Sequence, residues 1–230
     1  MPRKVFVANE ILTASDVNEF LMDQSVMVFA GTAARGSAIP SPSEGMVTYL
    51  EDSNQVQVYN GSSFVAVGGI LQVVSTTKSD TFSTSSTGFT DITGLSVSIT
   101  PTSTSSKIMV FADVAVGAND DSAGPRLLLT RNSTAIARGN AAGSRPRATA
   151  GGVPDAISET VTNLYSVTAI GFQFLDEPST TSALTYVVQI AKSSPGGRVL
   201  YVNRNGNYAD DANKENSTLI STITVMEVAG

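Results

Sequence analysis

"KIMVFADVAVG", Lys107 to Gly117, decides the fold class. Ile108, Val110, Ala112, Val114 and Val116 fall at every second position, a period of two that sends alternate side chains to opposite faces of a strand. The pattern recurs on both sides. "GLSVSITPT" alternates Leu95, Val97 and Ile99, and "NLYSVTAIGFQFLDEP" alternates Leu164, Ser166, Thr168, Ile170, Phe172 and Phe174. "ALTYVVQIAKS" repeats it with Leu184, Tyr186, Val188 and Ile190. "RLLLTRNSTAIARG" reads as a hairpin about Asn132-Ser133, "RVLYVNRNG" turns at Asn205-Gly206, and "STLISTITVMEV" closes as one long strand. About eight strands with turn signals between them and no helical period predict an antiparallel β-sandwich from Ile70 to Gly230, most simply a jelly roll. The last strand is apolar in part on both faces, Leu219, Ile223 and Val225 against Ile220, Met226 and Val228. Such a strand lies either deep in a sandwich or at a subunit interface.

Between Ser75 and Ser106, 20 of 32 residues are Ser or Thr, which taken alone suggests a low-complexity stalk. Phe82, Phe89, Ile92, Leu95, Val97 and Ile99 interrupt it and give it something to bury, so a Thr-rich β surface is the expectation.

Upstream of Ile70 the character changes. "MVTYLEDSNQVQVYNGSSFVAVGG", Met46 to Gly69, sets Val47, Tyr49, Val56, Val58, Phe64, Val65 and Val67 in short strand-like runs, with turns at Glu51 to Asn54 and at Asn60-Gly61. A three-stranded meander this small is marginal alone and calls for support from a neighbour or from copies of itself. "RGSAIPSPSEG", Arg35 to Gly45, reads as an extended linker. From Thr13 to Gly31, Val17, Phe20, Leu21, Gln24, Met27 and Val28 form one helical stripe. Thr13 or Ser15 can cap it, Asp16 and Glu19 suit its first turn, and Gly31 can end it. A lone amphipathic helix is marginal in water, so its stripe faces either its own domain or another chain. The expected organisation is thus mainly β: a helical segment over 1–36, linker and hairpin module over 37–69, and a sandwich over 70–230.

Missing residue types bound the chemistry. The chain has no Cys and no His, which excludes disulfides, thiol nucleophiles, thiolate or imidazole metal sites and His-based triads. A formal charge of -6 without any Lys or Arg run argues against nucleic-acid binding. No apolar run has the length of a secretory signal or a membrane span, so synthesis in the cytoplasm without membrane insertion is expected. "GANDDSAG" and "NYADDANKEN" gather Asn119, Asp120, Asp121, Asp210, Asp211, Asn213 and Glu215, but without the spacing of a calcium loop they read as solvated loops. Nothing in that spacing forms a carboxylate pair for glycoside cleavage, and no β-helix repeat is present. Neither a cofactor, a metal nor catalysis is expected. Arg126, Arg131, Arg138, Arg145 and Arg147 fall within 22 residues. Those in the Gly-rich stretch, Arg138, Arg145 and Arg147, either pair with acidic neighbours or recognise an anionic glycan, since guanidinium forks suit carboxylate and phosphate. Tyr165, Tyr186, Tyr201 and Tyr208 can stack on sugars, a weak signal without any Trp.

"ANEILTASDVNEFLMDQSVMVFAGTAAR" followed by "GMVTYLEDSNQVQVYNGSSFVAVG" resembles the N-terminal region of tail-associated structural proteins of tailed bacteriophages, in which an LTAxDVNxxLxxQ helix precedes a GMxxYxxDxNxxxVYxGSxFV hairpin. "DITGLSVSITPTSTSSKIMVFADV" and "STITVMEVAG" are similar to the β-sandwich heads of phage fibre and minor tail proteins. The resemblance implies a virion structural protein and a homotrimer: an N-terminal anchor contacting other virion proteins, a hairpin collar, and a distal head facing the host, with host-surface glycan as a partner. A capsid decoration or head fibre protein is the alternative it leaves open, and a glycan-degrading tailspike a more remote one.

Overall fold

The computed structural model describes residues 11, 13–14, 26–119, 124–152, 166–193, 195–207 and 216–229. They fall into two units divided between Gly69 and Ile70.

The smaller unit holds β1 (Met27–Phe29), α1 (Thr32–Ala38), β2 (Val47–Leu50), β3 (Gln55–Tyr59) and β4 (Phe64–Ala66), in one sheet of order β1-β2-β3-β4. β2, β3 and β4 form the expected antiparallel meander. Its turns use the residues that tolerate left-handed backbone, Asn54 (φ 51°) and Gly61 (φ 89°). The side-chain oxygen of Asn60 accepts the amides of Ser62 and Ser63 and closes the second turn.

Two expectations fail here. Met27 and Val28 do not lie on a helical stripe: Met27–Phe29 is a strand, parallel to β2 with Val28 opposite Tyr49. The run Val26-Met27-Val28-Phe29 suits a pleated surface, and the free edge of β2 offers it a hydrogen-bond ladder, which outweighs the helical spacing. Val17, Phe20, Leu21 and Gln24 lie outside the described residues. The stretch from Arg35 is likewise not wholly an extended linker, because α1 runs to Ala38. Ala33, Ala34 and Arg35 are good helix formers, and the helix stops before Pro40, which disfavours helical backbone at Ile39. Arg35 fastens α1 to the sheet by donating to the side-chain oxygen of Gln57 and lying 3.9 Å over the Phe64 ring. On this face Thr48 and Leu50 are buried.

The larger unit contains β5 (Ile70–Lys78), β6 (Phe82–Thr84), β7 (Thr90–Ile99), β8 (Lys107–Ala118), β9 (Pro125–Arg131), β10 (Thr134–Ile136), β11 (Ala150–Gly151), β12 (Val167–Asp176), β13 (Leu184–Lys192), β14 (Leu200–Val202) and β15 (Ser221–Val228). β12 pairs one edge of β8, while β15 and then β14 pair the other, followed outward by β5 and β6. The second sheet runs β7-β13-β9, with β10 and β11 sharing the far edge of β9. With β5/β6, β10/β11 and β14/β15 each taken as one interrupted strand, the sheets read 1-8-3-6 and 2-7-4-5. That order is an antiparallel ribbon, with pairs 1·8, 2·7, 3·6 and 4·5, rolled on itself: a jelly roll.

The period of two sets the core. Ile108, Val110, Val114 and Val116 meet Leu127, Leu129, Tyr186, Val188, Ile190, Ile223 and Val225 between the sheets. Ile92, Leu95, Val97 and Ile99 are buried while the residues between them face outward, so the Ser/Thr-rich segment is one exposed face of strands and not a stalk. The β9–β10 turn takes positive φ at both Asn132 and Ser133 (47° and 66°), as a two-residue hairpin of this hand requires.

Three buried polar groups fasten the roll. Asp176, ending β12, accepts two bonds from Arg131 Nη1 of β9 (2.8 and 2.7 Å) and one from the Tyr186 hydroxyl of β13 (2.6 Å), joining the two sheets. Burial and the adjacent Asp176 push the Tyr186 phenol far above its usual range, so it remains a donor. Asn203 (φ 63°) bridges the interruption between β14 and β15: its amide donates to the carbonyls of Lys78 and Asp80 (2.9 Å each) and its oxygen accepts from Ser221 (2.6 Å). This left-handed position lies two residues before the Asn205-Gly206 turn read from sequence. Glu227, fully buried on β15, accepts from Gln72 (2.6 Å) and from the amide and hydroxyl of Thr102 (2.7 Å each). Burial works against its charge, yet the donors around it, Gln72 and Thr102, hold its carboxyl below the usual range.

A carboxylate depressed on folding adds stability above its unfolded pKa and loses it as the pH falls through the folded value. Glu227→Gln is therefore expected to lose about 1–3 kcal/mol at pH 7. Its gap from the wild type should narrow as the pH drops below about 4.5, read by urea denaturation at several pH values. Gly117 lies against passing backbone, where an added Cβ would come within 2.5 Å of the Arg204 carbonyl and 3.0 Å of Asn205 Cα. Gly117→Val is expected to cost about 2–4 kcal/mol, while Gly197→Ala, in open space, should stay within about 0.5 kcal/mol in the same assay.

Candidate functional site

The structure separates the five clustered arginines into two kinds. Arg131 belongs to the Asp176 network, and Arg126 donates to the carbonyls of Thr87 (3.1 Å) and Lys192 (2.8 Å) beside the Phe89 ring. Both are framework residues. Arg138, Arg145 and Arg147 stand exposed on the single loop between β10 and β11. Arg147 Nε returns to the Gly139 carbonyl, and the Arg145 amide closes a turn onto Ala142, while the guanidinium groups of Arg138 and Arg145 meet no partner among the described residues. The loop carries the three cations together on one exposed stretch of chain.

The tyrosines supply no stacking platform among the described residues. Tyr186 is buried, Tyr201 lies 3.6 Å under the Arg204 guanidinium, and Tyr165 and Tyr208 lie outside the described residues. Of the acidic loops, Asn119 is used structurally, accepting the Val199 amide at 2.6 Å. Asp120, Asp121, Asp210, Asp211, Asn213 and Glu215 lie outside the described residues. Among those described, no three acidic side chains are grouped to hold a metal ion, and no helix is long and apolar enough to cross a membrane.

Two surfaces emerge that single-strand reasoning does not reveal. One is in the smaller unit. The registers Val28↔Tyr49, Tyr49↔Val56, Val47↔Val58 and Val58↔Val65 put all six of these side chains on the sheet face opposite α1. Val28 is 59% exposed, Val56 39% and Val65 38%, and Val67 continues the face at 60%. Among the described strand residues on this face none is charged or carries an amide, and Asn54 meets its rim by accepting the Tyr49 hydroxyl at 2.9 Å.

The other is on the outward face of β12-β8-β15. Opposed rows there read Gln173–Phe111–Thr224 and Gly171–Asp113–Thr222. The drop from a phenylalanine row to a row containing glycine leaves a depression of about 440 Å³ lined by these six residues together with Ala112 and Phe172. Phe111 walls it, 38% exposed in the middle of a sheet. The backbone of Gly171 forms its floor, with the Asp113 carboxylate alongside. Asp113, Gln173 and Thr222 make no side-chain hydrogen bond or ion pair with the described residues. On the second sheet's outer face Gln189 pairs with Asp91 at 2.7 Å and Ser98 with Thr185 at 2.9 Å across strands, as Thr224 pairs with Ser75 at 2.8 Å on this one. The outward residues of "VFADV" carried a faint signal, an aromatic and a carboxylate where the inward residues are aliphatic, but only the strand register brings them beside Gly171 and Gln173.

No family model matches the chain, and no curated protein matches it. Among solved structures it is similar to the infectious bursal disease virus VP2 subviral particle, at 12% identity and a TM-score of 0.31 over 76% of this chain and 46% of that one. It is also similar to the structure of the infectious bursal disease virus Gx strain, at 13% identity and a TM-score of 0.29 over 74% and 45%. The chain thus spans less than half the length of either, and at such TM-scores the fold assignment stands on the strand pairing alone.

Proposed function

We propose that this chain is a structural, non-enzymatic subunit of a virion, of the tail or fibre type of tailed bacteriophages. In this reading it is made in the host cytoplasm and assembles as a homotrimer. Its N-terminal region attaches it to other virion proteins, and the jelly roll is the head that faces the host. The observation that supports the reading is the open valine face of the smaller unit. A solvated face of an antiparallel sheet ordinarily carries polar residues, and a contiguous apolar patch marks a surface that another chain covers. A sheet of four short strands whose described residues bury only Met46 and Leu50 as apolar side chains is marginal alone and gains stability from such cover. The same N-terminal stretch carries the phage-type motif, so the residues that suggest the class are also those that leave a face to be filled.

Analytical ultracentrifugation of the full chain should give three times the 23.8 kDa chain mass. Val56→Glu with Val65→Glu should convert it to monomer and abolish incorporation into particles, while the circular dichroism of the jelly roll persists. A wild-type monomer that binds capsids instead would overturn the tail assignment in favour of head decoration.

A further inference from the structure

We propose that the depression on the outer face of β12-β8-β15 is a binding subsite for a neutral sugar. It goes beyond the assembly reading, since it rests on the larger unit alone and on none of the valine face.

The chemistry of the lining selects the ligand class. A hexose presents hydroxyls around its rim and an apolar C–H face, and needs hydrogen-bond partners of both signs beside a flat apolar surface. Phe111 offers the surface. Asp113 accepts, Gln173 donates and accepts, and the Thr222 and Thr224 hydroxyls do both. Three of these polar side chains have no partner among the described residues, so a ligand satisfies them without first breaking protein bonds. Thr224 is the exception, since its hydroxyl shares a 2.8 Å bond with Ser75 and can swing only by releasing it.

Charge narrows the class further. The lining holds one carboxylate and no cation, so an acidic sugar or a phosphate meets repulsion and no counter-charge. This separates the depression from the Arg138, Arg145 and Arg147 loop, which favours anions. A small cation beside Asp113 and Phe111 would leave the Gln173 amide and the threonine hydroxyls unused, whereas a polyhydroxylated ring engages all of them. Volume agrees: about 440 Å³ lies within the range of small-ligand sites and takes one or two sugar rings.

Gly171 is what keeps the site open. A Cβ there would meet only ordinary contacts, 3.7 Å to the Ala112 carbonyl and 3.9 Å to Asp113, so a larger residue fits the fold and fills the depression.

The test is saturation-transfer NMR and calorimetry on the full chain with neutral gluco-, galacto-, manno- and N-acetylglucosamine oligosaccharides, and with sialyllactose and choline as charged probes. At least one neutral oligosaccharide should bind with a Kd on the order of 1 mM or tighter. Gly171→Val and Asp113→Asn should each weaken it by about tenfold or more, with melting temperatures near wild type, and Arg145→Ala should leave it unchanged. The proposal is overturned if no neutral sugar binds at about 10 mM, or if binding survives both Gly171→Val and Asp113→Asn. Sialyllactose or choline binding more tightly than every neutral sugar would also sink it. So would dissociation of the oligomer by Phe111→Glu, which would make this face a contact between copies of the chain. A wild-type chain that binds a neutral sugar but is monomeric in solution would fault only the assembly reading.

Discussion

The backbone ladder along both edges of β8 is the constraint from which the larger unit follows. Ten residues of β8 pair with β12 on one side, and on the other β15 and then β14 take successive lengths of it. Because side chains alternate strictly, fixing this register fixes at once which residues of four strand positions enter the core and which face out. A slip of one residue would move Val110 and Val114 to the surface and bring Phe111 and Asp113 inside. The closed core and the outward depression are therefore two products of a single pairing.

The smaller unit shows the opposite economy. Among the described residues it has no second sheet, and a two-turn helix held by Arg35, Gln57 and Phe64 covers one face. A guanidinium that both bonds an amide and stacks on a ring holds a short helix that propensity alone would not. The remaining face stays apolar. The larger unit closes its core between two sheets, with Val73, Phe111 and Leu175 left exposed on its surface.

The jelly roll was legible because its strands are long and amphipathic: the inward residues of β7, β8, β12 and β13 stand at the spacing that their burial confirms. The Asn132-Ser133 hairpin was legible from turn chemistry. Met27 and Val28 were misread because a short apolar run fits both periods, and the edge of β2, a tertiary fact, decided between them. α1 was missed since Pro40, Ser41 and Ser43 dominate the composition, yet they follow Ala38, and Ser37 is absorbed into the helix by a bond to the Ala33 carbonyl. Framework roles for Arg126 and Arg131 were invisible because their partners, Lys192 and Asp176, lie 45 or more residues away. The depression was unreadable for the same reason, since its residues come from three strands and only register aligns them.

The placement of β15 has a consequence in time. It lies between β5 and β8, and Glu227 bonds Gln72 across 155 positions of sequence. The first sheet is therefore cleft between β5 and β8 until β15 has left the ribosome, and contacts so distant in sequence form slowly. During synthesis the edges of β5 and β8 stand unpaired, the condition that invites wrong partners. Ser75 and Thr77, outward on β5, keep part of that waiting strand polar beside the exposed Val73. The Ser/Thr richness of this segment thus serves the nascent chain as well as the finished one.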